Sequence, residues 1–262
     1  MGCFSGSTTV DVQGVGSTPI SEIEIGDMVL TQHNRYETVY SFGHRFTSAS
    51  ASFLQIHTKD QVREPLELSA EHMVFLEGGD AVPASGLRVG DTIQTVELSE
   101  SESCTSKATV TKIVVVEREG VYAPFTPSGS IVVNGGILAS TFVSFDETSG
   151  YLRLGRGLEL PISFQWLAWA FEAPHRMVCQ QFWRICESES YDEFGISDWV
   201  NVALGLSEWW IGQHALVIGA FVVPLLVGLS LVVLLESVQK HWMVAMFVVV
   251  VGLQLARRQK RA

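Results

Sequence analysis

Ser21-Glu22-Ile23-Glu24-Ile25-Gly26-Asp27-Met28-Val29 returns later in the chain as Ser85-Gly86-Leu87-Arg88-Val89-Gly90-Asp91-Thr92-Ile93. Each copy is a short apolar turn, a Gly-Asp pair and the start of a strand. The glycine supplies a turn conformation that a β-carbon would resist. The aspartate can bond to nearby backbone N–H groups. Beyond each copy lies a second similar strand, Glu37-Thr38-Val39-Tyr40 and Lys107-Ala108-Thr109-Val110. Two matches in the same order predict an all-β domain of two related halves about a pseudo-two-fold axis.

Outward from this repeat, residues 3 to about 146 keep one character. Runs rich in Val, Ile, Thr and aromatics alternate with Gly, Asp, Asn and Ser turns, among them Thr8–Val12, Phe53–Thr58, Met73–Leu76 and Ala108–Glu117. From about 150 the pattern turns helical, as in Ser163–Phe171 and Arg176–Cys186. The acidic stretch Glu187–Glu193 reads as a solvated loop. Ala215–Leu235 carries no charge and is long enough to cross a bilayer, which needs about 20 residues. A polar break at Glu236–His241 and a second apolar run, Trp242–Ala256, predict a membrane hairpin, and the tail Arg257-Arg258-Gln259-Lys260-Arg261 favours a cytoplasmic face. The expected division is therefore a β domain at 1–148, a helical linker region at 149–212, and a transmembrane or membrane-hairpin segment with a basic tail at 213–262.

The formal net charge of the 262 residues is −11, which argues against a nucleic-acid partner. Four cysteines, Cys3, Cys104, Cys179 and Cys186, include no Cys-x-x-Cys pair and no Cys/His group with zinc spacing, so neither a metal nor another cofactor is expected. Cys179 and Cys186 are expected as two half-buried thiols sharing a helix face, with a disulfide as the alternative. Met1-Gly2-Cys3 runs straight into strand pattern with no signal-peptide core. It also opens like an N-myristoylation signal, but that signal wants Ser or Thr where Gly6 stands.

Gly2-Cys3-Phe4-Ser5-Gly6-Ser7-Thr8-Thr9-Val10, Ile25-Gly26-Asp27-Met28-Val29-Leu30, Leu68-Ser69-Ala70-Glu71-His72-Met73-Val74-Phe75, Val121-Tyr122-Ala123-Pro124-Phe125-Thr126 and Val133-Asn134-Gly135-Gly136-Ile137-Leu138-Ala139-Ser140 occur in that order. Together they resemble the Hint domain of the Hedgehog (Hog) autoprocessing family, related to inteins. The resemblance covers residues 2 to about 146. It implies a pseudo-symmetric β horseshoe followed here by a helical, membrane-associated region. It also implies a two-step self-cleavage at Gly2-Cys3. The Cys3 thiolate would attack the Gly2 carbonyl and form a thioester, which a second nucleophile then opens. That nucleophile is a sterol in Hedgehog proteins.

The chemistry asks for a thiolate, an oxyanion site and a proton for the departing amine. His72 suits the last task, with Ser69 as the hydroxyl that orients the scissile peptide. Two positions depart from the family. His44 stands where an Asp activates the sterol hydroxyl, and imidazole can also serve as a base there. Thr141 stands where the family has a cysteine, which removes any disulfide between that position and Cys3.

The expected activity is thus a single-turnover autoprotease and acyl transferase. Its partners would be its own upstream peptide, a sterol or other lipid alcohol (or water), and a membrane of the secretory pathway, with the upstream part secreted. The alternative is a membrane-anchored binding or structural module that kept the scaffold and lost the reaction. Cleavage before Cys3 would free only Met1-Gly2 from the chain as it stands, so a longer precursor is expected.

Overall fold

The computed structural model describes residues 2–59, 64–96, 105–144, 149–154, 158–211, 213 and 215–259. Cys104, Lys260 and Arg261 lie outside the described residues.

The two Gly-Asp copies fold alike. Gly26 and Gly90 both take left-handed backbone, with φ of 104° and 100°. The Asp27 carboxylate accepts the Glu24 N–H at 2.8 Å, and the Asp91 carboxylate accepts that of Arg88 at 2.7 Å. Their carbonyls accept the N–H groups of Val39 and Val110, both at 2.8 Å. After each turn a strand pairs antiparallel with the next: Met28–Thr31 on Arg35–Thr38, and Thr92–Val96 on the start of Thr105–Phe125. The pseudo-symmetry read from the repeat is therefore a symmetry of hydrogen bonds.

The two longest strands, Ser41–Thr58 and Thr105–Phe125, run antiparallel and form the spine of a 13-stranded sheet. Register shifts at Val110/Lys112, Glu119/Val121 and Ala123/Pro124 bend this pair, as bulges do. The short strand Phe4–Ser5 pairs with Val121 and Tyr122 on one side and Leu68 on the other. This pairing seats the N-terminal segment beside the spine. His72–Phe75 pairs with Ile137–Val143, through Val143↔His72 and Ala139↔Val74. The main core cluster is apolar, with Phe4, Ile23, Val29, Ile56, Leu68, Ile93, Ile131 and Ile137 all fully buried.

Among the described residues five α-helices follow: α1 (Phe164–Phe171), α2 (Ala173–Gln181), α3 (Trp183–Glu187), α4 (Asp198–Ile211) and α5 (Ala215–Gln259). Ser163 caps α1 by accepting the Trp166 N–H. Three expectations change here. Arg176–Cys186 is not one helix but two, broken at Phe182 (φ −129°, ψ 55°). Cys179 and Cys186 form a disulfide with their Cα atoms 5.5 Å apart. Seven residues of continuous helix would span roughly 10 Å, too far for a bridge, so the fold-back and the disulfide require each other.

The second change is the acidic stretch, which docks rather than being wholly solvated. Glu189 accepts the Ser41 hydroxyl at 2.6 Å and faces His175 at 3.6 Å. The third is the expected hairpin. α5 runs unbroken through Glu236–His241. That stretch holds no Gly or Pro, and its charges are partnered. Glu236 takes both Nε and Nη2 of the fully buried Arg176, at 2.8 and 2.6 Å, and pairs with Lys240 one turn on. Val217–Trp242 is long and apolar enough to cross a membrane.

Candidate active site

Cys3 is buried, and its two reactive ends face different partners. The Sγ lies 3.1 Å from Nδ1 of His44. Its backbone N–H donates to the Ser69 hydroxyl at 3.1 Å, and the Ser69 N–H donates back to the Cys3 carbonyl at 2.9 Å. The strand pairing of Phe4 with Leu68 sets this exchange, because it brings Ser69 level with Cys3.

The tautomer of His44 follows from its second contact. Nε2 lies 2.8 Å from the Phe194 carbonyl, which only accepts, so Nε2 carries the proton. The lone pair on Nδ1 then receives the Cys3 S–H. Burial pulls the His44 pKa below its ordinary 6.5 although the Phe194 bond opposes this, and burial pushes the Cys3 thiol up to about 12. At neutral pH the pair therefore rests as thiol and neutral imidazole.

His72 is fully buried, with its ring 4.3 Å from that of Phe4. Nε2–H donates to the Ser140 carbonyl at 2.7 Å. Nδ1 is left bare, one of three buried side-chain polar atoms without a partner among the described residues. It lies 3.3 Å from where a Cβ on Gly2 would sit. The same hypothetical Cβ would run into Cγ1 of Val143, so the residue before Cys3 has no room for a side chain. Burial takes the His72 pKa down to about 4, with the Ser140 bond partly opposing it.

Cys3, Ser69, His72 and His44, the four residues singled out in the sequence, thus converge on the Gly2-Cys3 peptide. Sequence reasoning missed two features. Thr141, noted there only for lacking a thiol, is another of the orphaned polar groups, with its Oγ1 buried and unpaired. It lines an apolar cavity of about 560 Å³ that also touches Gly2 and His44 and is walled by α1, α4 and the first half of α5. The other miss is Phe194, whose carbonyl orients His44. Its signal was present as Asp192-Glu193-Phe194-Gly195, a turn-forming sequence that straddles the end of the acidic stretch.

His175, Cys179 and Cys186 also cluster, with their ligand atoms within 4.8 Å of one another. The sulfurs are bonded to each other, and both His175 nitrogens face carboxylates, Glu172 at 3.1 Å and Glu189 at 3.6 Å, so the group is a staple and an ion pair rather than a ligand set.

The Hint module profile matches residues 1–150. The chain belongs to the Hint family. It is 28% identical over 231 residues to the Tiggy-winkle hedgehog protein of Danio rerio, covering 82% of this chain and 50% of that protein. It is 29% identical over 157 residues to the Sonic hedgehog protein of the same species, covering 56% of this chain and 37% of that one. The chain thus spans half the length or less of these relatives. Among solved structures, a variant of the Ssp DnaB mini-intein aligns with 55% of this chain and 100% of its own, at 15% identity and a TM-score of 0.46. This Hint domain is of the hedgehog-like kind, a β-rich fold followed by C-terminal helices.

Proposed function

We propose that this Hint domain cleaves its own chain before Cys3, once per molecule. The Cys3 thiol gives its proton to Nδ1 of His44 as Sγ attacks the Gly2 carbonyl carbon. The bond from that carbon to the Cys3 nitrogen breaks, the acyl group stays on sulfur as a thioester, and His72 protonates the departing amine. Net, one proton moves from sulfur to nitrogen. His72 is neutral at rest. Negative charge developing on the tetrahedral oxygen raises its proton affinity in so dry a site; its bare Nδ1 takes up the proton that left Sγ, passed from the His44 imidazolium by way of that oxygen, and gives it to the amine, which leaves both histidines neutral. A hydroxyl then attacks the thioester, passing its proton to His44. The acyl group moves to that oxygen, and the Cys3 thiolate leaves and is reprotonated by His44.

The observation that carries this reading is the split engagement of Cys3, with the attacking sulfur on His44 and the leaving nitrogen on Ser69. The apolar cavity beside Gly2 and His44 supports a lipid alcohol, sterols included, over water as the second nucleophile. The exposed apolar helix α5 supports attachment to a bilayer, and the Cys179–Cys186 disulfide supports an oxidising compartment such as the secretory pathway.

The test is a reporter fused upstream of Gly2, with the released reporter weighed. A free acid identifies water, and an added mass identifies the alcohol. Cys3→Ala should abolish release. His72→Ala should slow thioester formation by about 10²–10⁴-fold. Ser69→Ala should cost about 1–3 kcal/mol of transition-state stabilisation. Release at the normal rate from Cys3→Ala would overturn the reading.

A further inference from the structure

The segment Tyr191–Ser197 lies beyond the residues matched by the Hint module, yet it forms part of the site's wall of hydrogen bonds. His44 and Ile196 form an isolated antiparallel bridge, 152 positions being crossed to make it. Around that bridge the Arg45 N–H donates to the Gly195 carbonyl at 2.8 Å and the Ser197 N–H to the Gly43 carbonyl at 3.1 Å. The turn is thus a short extra strand laid along the start of Ser41–Thr58, beside His44. Its tip is Phe194, whose carbonyl receives Nε2–H of His44.

The turn is itself tightly held. One oxygen of Asp192 accepts the N–H groups of Phe194 and Ile196 at 2.9 and 3.0 Å, and the other accepts the Asn201 side-chain amide at 3.0 Å. Asn201 belongs to α4, so the helical region anchors the turn. Gly195 has φ of 78°, and a Cβ there would lie 2.5 Å from the Arg45 carbonyl oxygen. Only glycine lets the turn approach the strand this closely.

An imidazole free to rotate about its two side-chain bonds would not keep one nitrogen on the Cys3 sulfur. A carbonyl behind the ring fixes both the proton on Nε2 and the direction of Nδ1, as outer partners do for metal-bound histidines. We propose that the Tyr191–Ser197 turn is a positioning element of the catalytic centre: the Phe194 carbonyl holds His44 with its Nδ1 lone pair on Cys3, and Asp192 and Gly195 hold that carbonyl in place. This rests on the reading of His44 as the base for Cys3. It makes the helical region a participant in the first step and not only in the choice of acceptor.

The experiment uses the full chain behind the upstream reporter. Thioester formation is read as release by added dithiothreitol, as a function of pH. Besides Cys3, the charged group acting on His44 among the described residues is the Asp192 carboxylate, which raises its pKa. Losing the Phe194 bond removes a contact that favours the imidazolium, so the acid limb of the profile should move to lower pH. Asp192→Ala and Gly195→Ala should each slow release by about tenfold and move that limb, and neither should add to the loss in a His44→Ala background. Asp192→Asn keeps the oxygen that caps the turn but loses the charge and the acceptor for Asn201, so its rate should fall between those of the wild type and Asp192→Ala.

If His44→Ala is slow while Asp192→Ala and Gly195→Ala keep the wild-type rate and limb, the positioning role is wrong and the catalytic reading stands. Losses that add in full to that of His44→Ala also overturn the positioning role, since the turn would then act elsewhere. If His44→Ala itself releases at the wild-type rate, the role of His44 as base falls, and the positioning role with it.

Discussion

His72 meets the scissile peptide with a bare nitrogen because its only ring proton is committed to Ser140 on the far side. That arrangement has a consequence for stability. The unfolded chain binds a proton at His72 below pH 6.5, whereas the folded chain resists it until about pH 4. Between those values the unfolded state holds more protons, so stability should be complete above pH 6.5 and fall as pH drops towards 4, by on the order of 3 kcal/mol. Urea midpoints of Cys3→Ala, which cannot cleave, should decline across that window. The decline should flatten when His72→Asn is added. An equal slope in both would mean that other groups set the acid limit. At this scale the sequence was largely legible: Cys3, Ser69 and His72 announce themselves by residue type and order. What it did not contain was direction. That His44 faces the Cys3 thiol, with its other nitrogen on a carbonyl 150 positions away, is set by a partner too distant in sequence to be read there.

The Gly-Asp turns were legible as elements because their hydrogen bonds are local, running from Asp27 to Glu24 and from Asp91 to Arg88. The helical elements were not, because their ends are set by partners distant in sequence. α2 stops at Phe182 where the disulfide turns the chain back, and α5 passes through a polar stretch because Arg176 waits for Glu236. Spacing alone says that Cys179 and Cys186 could share a face, not that they are oxidised. The bridge closes a short loop, and the chain-entropy argument gives it about 2–3 kcal/mol. Cys179→Ser with Cys186→Ser should therefore lower the thermal stability of the full chain measurably. It should also loosen α3, seen as faster amide exchange over Trp183–Glu187. Unchanged exchange there would mean that packing, not the bridge, holds the fold-back.

For the whole molecule, the helical region is joined to the β domain by charge as well as by apolar contact. Tyr40 donates to Glu172 at 3.3 Å, Ser41 to Glu189 at 2.6 Å, and His175 sits between the two carboxylates. Burial lowers the His175 pKa, but its bonds to Glu172 and Glu189 outweigh that and raise it to about 9. α5 also leaves Leu231 56% and Leu235 63% exposed, apolar surface left uncovered by the described residues. If that surface lies in lipid, the full chain should stay with the membrane after carbonate washing. Leu231→Lys with Leu235→Lys should then move it to the supernatant; retention of that double variant would place the attachment elsewhere.

The pairing of His44 with Phe194 also acts in time. A ribosome adding about 5–20 residues per second completes the module at residue 150 several seconds before it reaches Phe194. If the Phe194 carbonyl arms Cys3 as proposed, a nascent chain carries a folded but unarmed cysteine over that interval. A domain joined ahead of Gly2 would then have that interval, and the passage of the helical region out of the ribosome, in which to fold before cleavage.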